Sequence, residues 1–600
     1  MNHNLDERKK NLIAQWAFDT RPILGRFHLW LEDIKVNWIN AKGGYEPVSD
    51  LNDIISFVDA RTERLLIMTA AVTALGTKLF GRFGEGANLD KKGLNKVKKD
   101  ADAISAYAMS ESLWYLSRSI PENHAIMVCL GEGLMPKAGE TIEMGANPLL
   151  GFGRIYARPQ VAMLLEGLVQ KLINKNGYTW DDFRNDINHE GITVWGAAID
   201  TLENTSRFAK GTSTGPMTIL HLFNQPLAIT DQYEGYIGNL ILPKEIVKKA
   251  ADFSILINYF TPREIVYDAI KLTYPEIKPE NVHVWTLCGK GREPRIGKLW
   301  DQWRDIGVHL VDDEWEMPTG IKPFTESGTY APTYMIKSWK DDSGETHLFL
   351  TDGYAASAEA IQAASLSPIL DLYSSLSVFT SKFKLSYDKE PEIMSLDPEA
   401  ADFEAKLSSI FGKELEKEVV ETFRDDIVHV RDAGIPTKNR TITENDFISE
   451  KKWSVMALSG YMLPDPYSGA PGVVKISDDT YEVSVRLSTN KGEKLITFAL
   501  KLLENFEESH LVFQPLLNRF LRGEDYKSRA VKISDSGRIR NELQTLCSVA
   551  LEHYDDMNIK IYFDRIPEDI IPIEEKKVLR EILEWYKEKH QIWFNWLEID

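Results

Sequence analysis

Short apolar runs alternate with helix-like stretches along the middle of the chain, and this pattern predicts an α/β core over residues 121–385. The runs PMTILHLF (216–223), YIGNLILP (236–243) and VHVWTL (282–287) are short and strand-like. Helical spacing of apolar residues follows some of them, as in RIGKLWDQWRDIG from residue 295. Strands that alternate with helices are typical of a mostly parallel sheet, and we therefore expect one here.

The two flanking regions have different patterns. Residues 1–120 are mostly helical in pattern, and residues 390–600 mix helical and strand-like segments. We therefore expect a helical N-terminal region packed on the core and a C-terminal α+β domain. In that domain TYEVSVRLS (480–488) predicts a strand, EKLITFALKLLENF (493–506) predicts a helix, and the aromatic-rich segment 574–599 predicts a closing amphipathic helix.

Two helix starts carry capping signals. Thr179 precedes a segment with acidic residues in its first turn, which is typical of an N-cap. Thr261, Pro262 and Glu264 match a cap, a first helical proline and the partner of a capping box.

Composition and charge limit the class of protein. The formal net charge is -20, with 43% hydrophobic and 27% charged residues. This balance favours a folded protein and argues against general nucleic-acid binding, which requires broad basic surface. The longest apolar run, 65–76, is too short to cross a membrane, and the polar N-terminal residues predict no export signal. Three cysteines without a CxxC pair predict no disulfide framework, and we expect a cytoplasmic protein.

Three apolar runs end in loops that contain glycine. They are HAIMVCLGEG (124–133), VHVWTLCGKG (282–291) and HLFLTDG (347–353). Ligands bind at the carboxyl ends of strands in open parallel sheets. We therefore expect Gly131, Gly289 and Asp352 to line one cleft.

The second of these loops is basic within an acidic protein. Its cationic residues are Lys290, Arg292, Arg295 and Lys298, and Gly291 lets the backbone approach a ligand closely. Arginine clamps phosphate or carboxylate groups through paired donors, so the loop predicts an anion site. The alternative is a solvated basic helix start that forms surface ion pairs.

Acidic residues follow two other strand-like runs. Asp352 precedes Gly353 and a small-residue helix start that includes Ser357. This pattern predicts a catalytic carboxylate or a magnesium ligand at Asp352. It also predicts that Gly353 and Ser357 contact the substrate. Asp312 and Asp313 are further candidates for Mg²⁺. The alternatives are a tight turn capped by Asp352 and a plain acidic surface turn at 312–314.

Two weaker candidates complete the predicted site. Ser213 lies in GTSTG, which matches GxSxG, but helix precedes and strand follows, the reverse of a nucleophile elbow. We expect Ser213 to contact substrate, with a serine hydrolase as the alternative, and Arg154 to be another anion contact. The histidines beside apolar runs are expected to be core residues rather than metal ligands; they are His124, His221, His283, His309 and His347.

These patterns together predict an enzyme that acts on a small phosphorylated or carboxylated metabolite. The reaction expected is Mg²⁺-assisted phosphoryl transfer or hydrolysis on a sugar phosphate. An isomerase or lyase that uses the same anion-binding loops is an alternative. A non-catalytic assembly subunit that forms a homo-oligomer through its helical ends is another.

Overall fold

The structure is a computed structural model. The residues that it describes are 27–29, 35–39, 45–47, 60–117, 120–131, 150, 152–174, 177–223, 225–227, 236–287, 293–323, 328–379, 390–432, 439–443, 454–460, 467, 469–477, 480–489 and 492–502.

The strands of these residues form two sheets. In chain order they are β1 Phe27–Leu29, β2 Lys35–Ile39, β3 Tyr45–Pro47, β4 His124–Gly131, β5 Ile155–Ala157, β6 Thr193–Glu203, β7 Met217–Phe223, β8 Tyr236–Pro243, β9 Val282–Trp285, β10 His309–Leu310, β11 Lys337–Lys340, β12 Thr346–Ala356, β13 Leu372–Phe379, β14 Asn439–Thr443, β15 Ser454–Gly460, β16 Val473–Lys475, β17 Thr480–Thr489 and β18 Gly492–Leu502.

The helices connect and cover these strands. They are α1 Ala60–Phe80, α2 Lys91–Leu116, α3 Pro159–Asn174, α4 Trp180–His189, α5 Thr205–Lys210, α6 Lys244–Asp252, α7 Arg263–Thr273, α8 Glu293–Ile306, α9 Tyr330–Thr333, α10 Ser357–Ser365, α11 Ser367–Leu370, α12 Glu390–Ser395, α13 Phe403–Phe411 and α14 Lys417–Asp432.

The strands pair in both directions, so the prediction of a mostly parallel sheet is wrong. The first sheet has the order β3-β2-β18-β17-β15-β7-β6-β4-β5, with β1 on β18 and β16 on β17. Among its described strands, only β4 and β6 pair in parallel. The second sheet has the order β10-β9-β12-β8-β13-β14, with β11 on β12. Its strand β9 pairs in parallel with β10 and β12, and its other pairings are antiparallel.

Helix α10 lies between the two sheets. It contacts β4 and β6 of the first sheet, and β8, β12 and β13 of the second. Four of its nine residues are buried alanines, Ala358, Ala360, Ala363 and Ala364. Small side chains let a helix approach a sheet closely on both sides, which explains why this helix can fill the central layer. Helices α1 and α2 contact the first sheet, and α7 and α8 pack together beyond the second.

Local predictions had mixed outcomes. The predicted strands at 216–223 and 236–243 are confirmed as β7 and β8. The Thr179 cap is also confirmed, since its hydroxyl accepts from the Asp182 N–H and a capping box forms. The predicted capping box at Thr261 is wrong, because α7 begins at Arg263 without a side-chain cap.

The segment predicted as a helix from residue 493 is instead strand β18. It pairs with β17 along ten consecutive residues. Its apolar residues are so dense that local spacing does not distinguish a helix from a buried strand, and the partner strand decides the outcome. The predicted closing helix at 574–599 lies outside the described residues.

The first sheet takes strands from all three predicted regions. Strands β1 to β3 precede residue 120, β4 to β7 belong to the predicted core, and β15 to β18 follow residue 390. The domain boundaries stay a prediction. None of the helices in the described part of the chain is long and apolar enough to cross a membrane.

Candidate metal centre

Three carboxylates meet between the first sheet and α10. Asp200, Glu203 and Glu359 each place an oxygen within 4.8 Å of the other two. Asp200 and Glu203 are 1% and 4% exposed, whereas Glu359 is half-buried. The cluster is therefore reached by solvent from the side of Glu359.

A β-bulge brings the two carboxylates of β6 together. The register of β6 against β7 shifts between Asp200 and Glu203. In a regular strand, residues three positions apart point to opposite faces of the sheet. A bulge re-aims side chains, and here both carboxylates reach the same site.

The backbone of Gly328 lies close to two of the three carboxylates. The Gly328 N–H donates a hydrogen bond of 2.9 Å to Glu203 Oε1. A Cβ atom at this position would lie 2.1 Å from Glu359 Oε2 and 3.1 Å from Glu203 Oε1. Only glycine therefore lets the backbone enter the cluster without displacing a carboxylate.

The turn that follows Glu203 is fixed to neighbouring elements. Asn204 has a positive φ of 61° and donates through Nδ2 to the Gly215 carbonyl at 2.9 Å. The Thr205 hydroxyl donates to Asp102 Oδ1 at 2.8 Å, which brings an acidic residue of α2 to the same end of β6. A left-handed asparagine is costly and persists where surrounding contacts enforce it.

Two hydrogen bonds fix α10 on the first sheet. Gln362 Nε2 donates to the Ala198 carbonyl at 3.2 Å, and Ser365 Oγ lies 3.1 Å from His221 Nδ1. Gln362 is three residues from Glu359 on the helix, and Ala198 is two residues from Asp200 on the strand. The buried Oε1 of Gln362 has no hydrogen-bond partner among the described residues. This amide oxygen is an acceptor on the same helix as Glu359, about one turn further along.

The chemistry of this group is that of a hard-cation site. Carboxylates at such short separation repel one another unless a cation or a shared proton compensates their charge. Carboxylate and amide oxygens are the ligands that Mg²⁺ and Ca²⁺ prefer, and Mn²⁺ accepts the same set. The residues present could therefore hold a divalent cation.

The predicted catalytic residue Asp352 has a different environment. It lies inside β12, paired with Leu240, and not in a loop after a strand as predicted. Its buried carboxylate accepts from Arg263 Nε at 2.6 Å, from Arg263 Nη2 at 2.9 Å and from Trp303 Nε1 at 2.7 Å. Three donors occupy both oxygens, so the geometry is that of a structural ion pair.

The other predicted magnesium ligands lie elsewhere on the second sheet. Asp312 and Asp313 are exposed and follow β10. Asp312 Oδ1 accepts from the N–H groups of Glu314 and Trp315, each at 3.0 Å, which is the pattern of an Asx turn. Among the described residues, these two aspartates do not join Asp352 in a group that could hold a metal ion.

The predicted anion-binding segment is only partly described. Lys290, Gly291 and Arg292 lie outside the described residues, and Arg295 and Lys298 lie on α8. The segment follows β9 along the chain, and β9 pairs in parallel with β12.

Gly353 lies at the junction of these two strands. A Cβ atom at Gly353 would be 3.4 Å from the backbone nitrogen of Leu287 and 3.3 Å from the Trp285 ring. Ser357 is the first residue of α10, the helix that carries Glu359. The fold thus brings Gly353 beside Trp285 and Leu287, which precede the basic segment along the chain.

The remaining predicted contacts are scattered. Ser213 is exposed in the loop between α5 and β7, and Arg154 precedes β5 at the edge of the first sheet. Gly131 ends β4 in the first sheet, whereas Asp352 lies in the second. The runs at 282–291 and 347–353 contain the neighbouring strands β9 and β12, whereas the run at 124–133 contains a strand of the other sheet. Gly289 lies outside the described residues, so a cleft shared by all three runs stays a prediction.

Asp200, Glu203 and Glu359 are not among the site residues predicted from the sequence. A signal was present, because two acids three residues apart end the apolar run ITVWGAAIDTLE. Every residue of β6 after Thr193 is buried, and buried acids require a specific reason. The chain matches no known protein family and no curated protein sequence, so its function is inferred from this geometry.

Proposed function

We propose that the protein is a metal-dependent enzyme that hydrolyses a phosphate ester of a small metabolite, with a sugar phosphate as the expected substrate. The observation that carries this proposal is the convergence of Asp200, Glu203 and Glu359 in one site. Mg²⁺ is the cation proposed, and Mn²⁺, which accepts the same ligands, replaces it in binding measurements.

The site suits a phosphoryl group for two reasons. A divalent cation neutralises phosphoryl oxygens and generates a nucleophilic hydroxide from bound water. Glu359 is in the first turn of α10, and the N–H groups of a helix's first turn point away from the helix body and lack intrahelical acceptors. These N–H groups and the positive end of the helix favour a bound anion.

The basic segment supplies the remaining positive charge. It begins where β9 ends, beside Gly353, while α10 follows directly from the end of β12. Lys290 and Arg292 are therefore proposed to bind the phosphate or a second anionic group of the substrate. Glu359, the more exposed carboxylate, is proposed to orient the attacking water.

Metal binding is the first test. The protein is stripped with a chelator, and Mn²⁺ is titrated while its free concentration is followed by electron paramagnetic resonance. We expect Glu203→Gln and Glu359→Gln to weaken binding roughly ten-fold or more. The exposed Glu314→Gln variant is the matched control and should bind as the wild type does. Equal Mn²⁺ affinity in all four proteins would remove the proposed centre.

Phosphate release is the second test. A panel of sugar phosphates is incubated with the wild type in Mg²⁺, and inorganic phosphate is measured. We expect Mg²⁺-dependent release that is lost in Glu203→Gln, and a raised KM in Lys290→Ala and Arg292→Ala. Tight Mn²⁺ binding without phosphate release from any ester would retain the metal centre and reject the phosphatase.

A further inference from the structure

Three histidines lie side by side on one face of the second sheet. His283, His309 and His347 belong to β9, β10 and β12, three strands that run in parallel. Each lies within the first two residues of its strand. They are therefore at the amino ends of these strands, opposite to the end from which the basic segment leaves.

The three imidazole rings form a hydrogen-bonded chain. His283 Nδ1 is 2.9 Å from His309 Nδ1, and His283 Nε2 is 3.0 Å from His347 Nδ1. The corresponding ring centres are 5.1 and 5.2 Å apart. In each pair, the distance between ring centres exceeds the distance between the two nitrogens by about the width of one ring. The two nitrogens therefore lie on the line that joins the ring centres, which gives the nearly linear geometry that hydrogen bonds prefer. The chain ends at Asp341, whose Oδ2 is 3.4 Å from His347 Nε2.

The partners fix where the protons lie. The carboxylate of Asp341 only accepts, so His347 carries its proton on Nε2 and accepts on Nδ1. His283 must then donate from Nε2 and accept on Nδ1, and His309 donates from Nδ1. All three rings are neutral in this arrangement, and each of the three contacts contains one proton.

This chain has room for one extra proton, on the outer Nε2 of His309. A second extra proton on a ring would make two N–H groups point at each other in one of the contacts between rings. The remaining alternative is that the proton binds the Asp341 carboxylate. Two cationic imidazoles would also repel each other at this distance. Acidification beyond the first extra proton therefore breaks the hydrogen-bonded chain.

Tryptophans enclose the central ring. Trp339 stacks on His283 with ring centres 5.5 Å apart, and Trp315 lies 4.7 Å from the same ring. Trp315 also stacks on Phe349 of β12 at 5.7 Å. Burial lowers the pKa of His283 to about 3, and the neighbouring imidazoles contribute to the same direction. Burial also lowers the pKa of His309, although Asp312 opposes that effect.

We propose that His283, His309 and His347 form a pH-sensitive clasp, which fastens the segment 311–323 and the β11 strand of the β11–β12 hairpin to the amino ends of β9, β10 and β12 and releases both in acid. Trp315 belongs to the segment and Trp339 to the hairpin, so both depend on the neutral chain for their packing. This device is separate from the proposed metal centre, because His347 lies near the start of β12 whereas α10, which carries Glu359, follows its last residue.

Charged groups lie around the clasp. Asp341 accepts from His347, and Asp312 lies near His309, where it favours the protonated ring. Glu345 is engaged by Lys278 and by Asn281 Nδ2 at 3.0 Å. The unfolded chain takes up protons near pH 6.5, whereas burial makes His283 and His309 resist protonation, so the clasp loses stability as pH falls below about 6.5.

Hydrogen–deuterium exchange with mass spectrometry tests the proposal on the full chain. Protection factors, corrected for intrinsic exchange, are compared at pH 7.5 and pH 5 in peptides covering 311–323 and 337–347. We expect at least a ten-fold loss of protection in acid in these peptides, with peptides of β6 and β7 unchanged. His283→Gln should keep protection at both pH values, since its amide accepts and donates as neutral histidine does but does not titrate.

Two further variants complete the test. His283→Ala should lose protection at both pH values, and His189→Gln, which alters an exposed histidine, should behave as the wild type. If His283→Gln fails to fold, His309→Gln serves in its place with the same expectation. Retained protection of the wild type at pH 5, or an acid response in the glutamine variant equal to that of the wild type, would overturn the clasp.

Discussion

Substitutions in the buried pair of Asp352 and Arg263 test whether Asp352 is a structural or a catalytic residue. The Asp352 side chain is 0% exposed and that of Arg263 is 3% exposed. Arg263 also donates from Nη1 to the carbonyls of Tyr259 and Thr261, at 2.8 and 2.5 Å. The pair thus fastens α7 to the middle of β12, and Trp303 adds a bond from α8.

Substitution of Asp352 by asparagine keeps the size of the side chain but removes its charge. The guanidinium of Arg263 is then left buried without its counter-ion, which costs about 3–5 kcal/mol in comparable sites. One amide oxygen still accepts from Trp303, so we expect the lower part of that range. Replacement of both partners, as in Asp352→Leu with Arg263→Met, should recover most of the loss, because apolar groups of similar size leave no buried charge.

Urea unfolding followed by circular dichroism measures the loss. If the 600 residues unfold as one unit, a destabilisation of 4 kcal/mol lowers the thermal midpoint by about 3 °C, and by more if the second sheet unfolds separately. Asp313→Asn, which changes an exposed carboxylate, should stay within roughly 0.5 kcal/mol of the wild type. If Asp352→Asn changes the free energy of unfolding by less than about 1 kcal/mol and also abolishes phosphate release, the structural role is refuted and the catalytic role is restored.

Three further predictions concern single sites. Gly328→Ala should weaken Mn²⁺ binding by roughly ten-fold or more, measured by calorimetry, because its Cβ would lie 2.1 Å from a carboxylate oxygen. Gly167→Ala, whose Cβ would have no atom within 4 Å, should leave that affinity unchanged. Thr179→Ala should destabilise α4 by about 1 kcal/mol, seen as faster amide exchange in that helix alone. Burial raises the pKa of the Cys129 thiol to about 12, so iodoacetamide at pH 8 should label the Cys129 peptide only after unfolding, and labelling of the native protein would contradict this burial.

Local sequence determined the elements whose signal lies within a few residues. The apolar runs of β7 and β8 and the capping box at Thr179 were all predictable, because burial of a short run and capping of a helix depend on neighbours along the chain. The run at 493–502 shows the limit, since it forms a strand only by pairing with β17.

Tertiary structure decided strand direction and the candidate site. A buried strand has the same apolar pattern whichever way its neighbour runs, so the sequence could not reveal that both sheets are mixed. Asp352 had every local sign of a catalytic residue, but Arg263 approaches it from a distant helix and occupies its oxygens.

The carboxylates of Asp200, Glu203 and Glu359 meet for reasons that no local pattern contains. A bulge in β6 turns two of them to one side, and α10, held between the sheets, brings the third. The sequence by itself determined only the elements whose signal is local, such as β7, β8 and the capped start of α4. Contacts between residues far apart along the chain decided which acids face each other, because only packing brings them within range of a single cation.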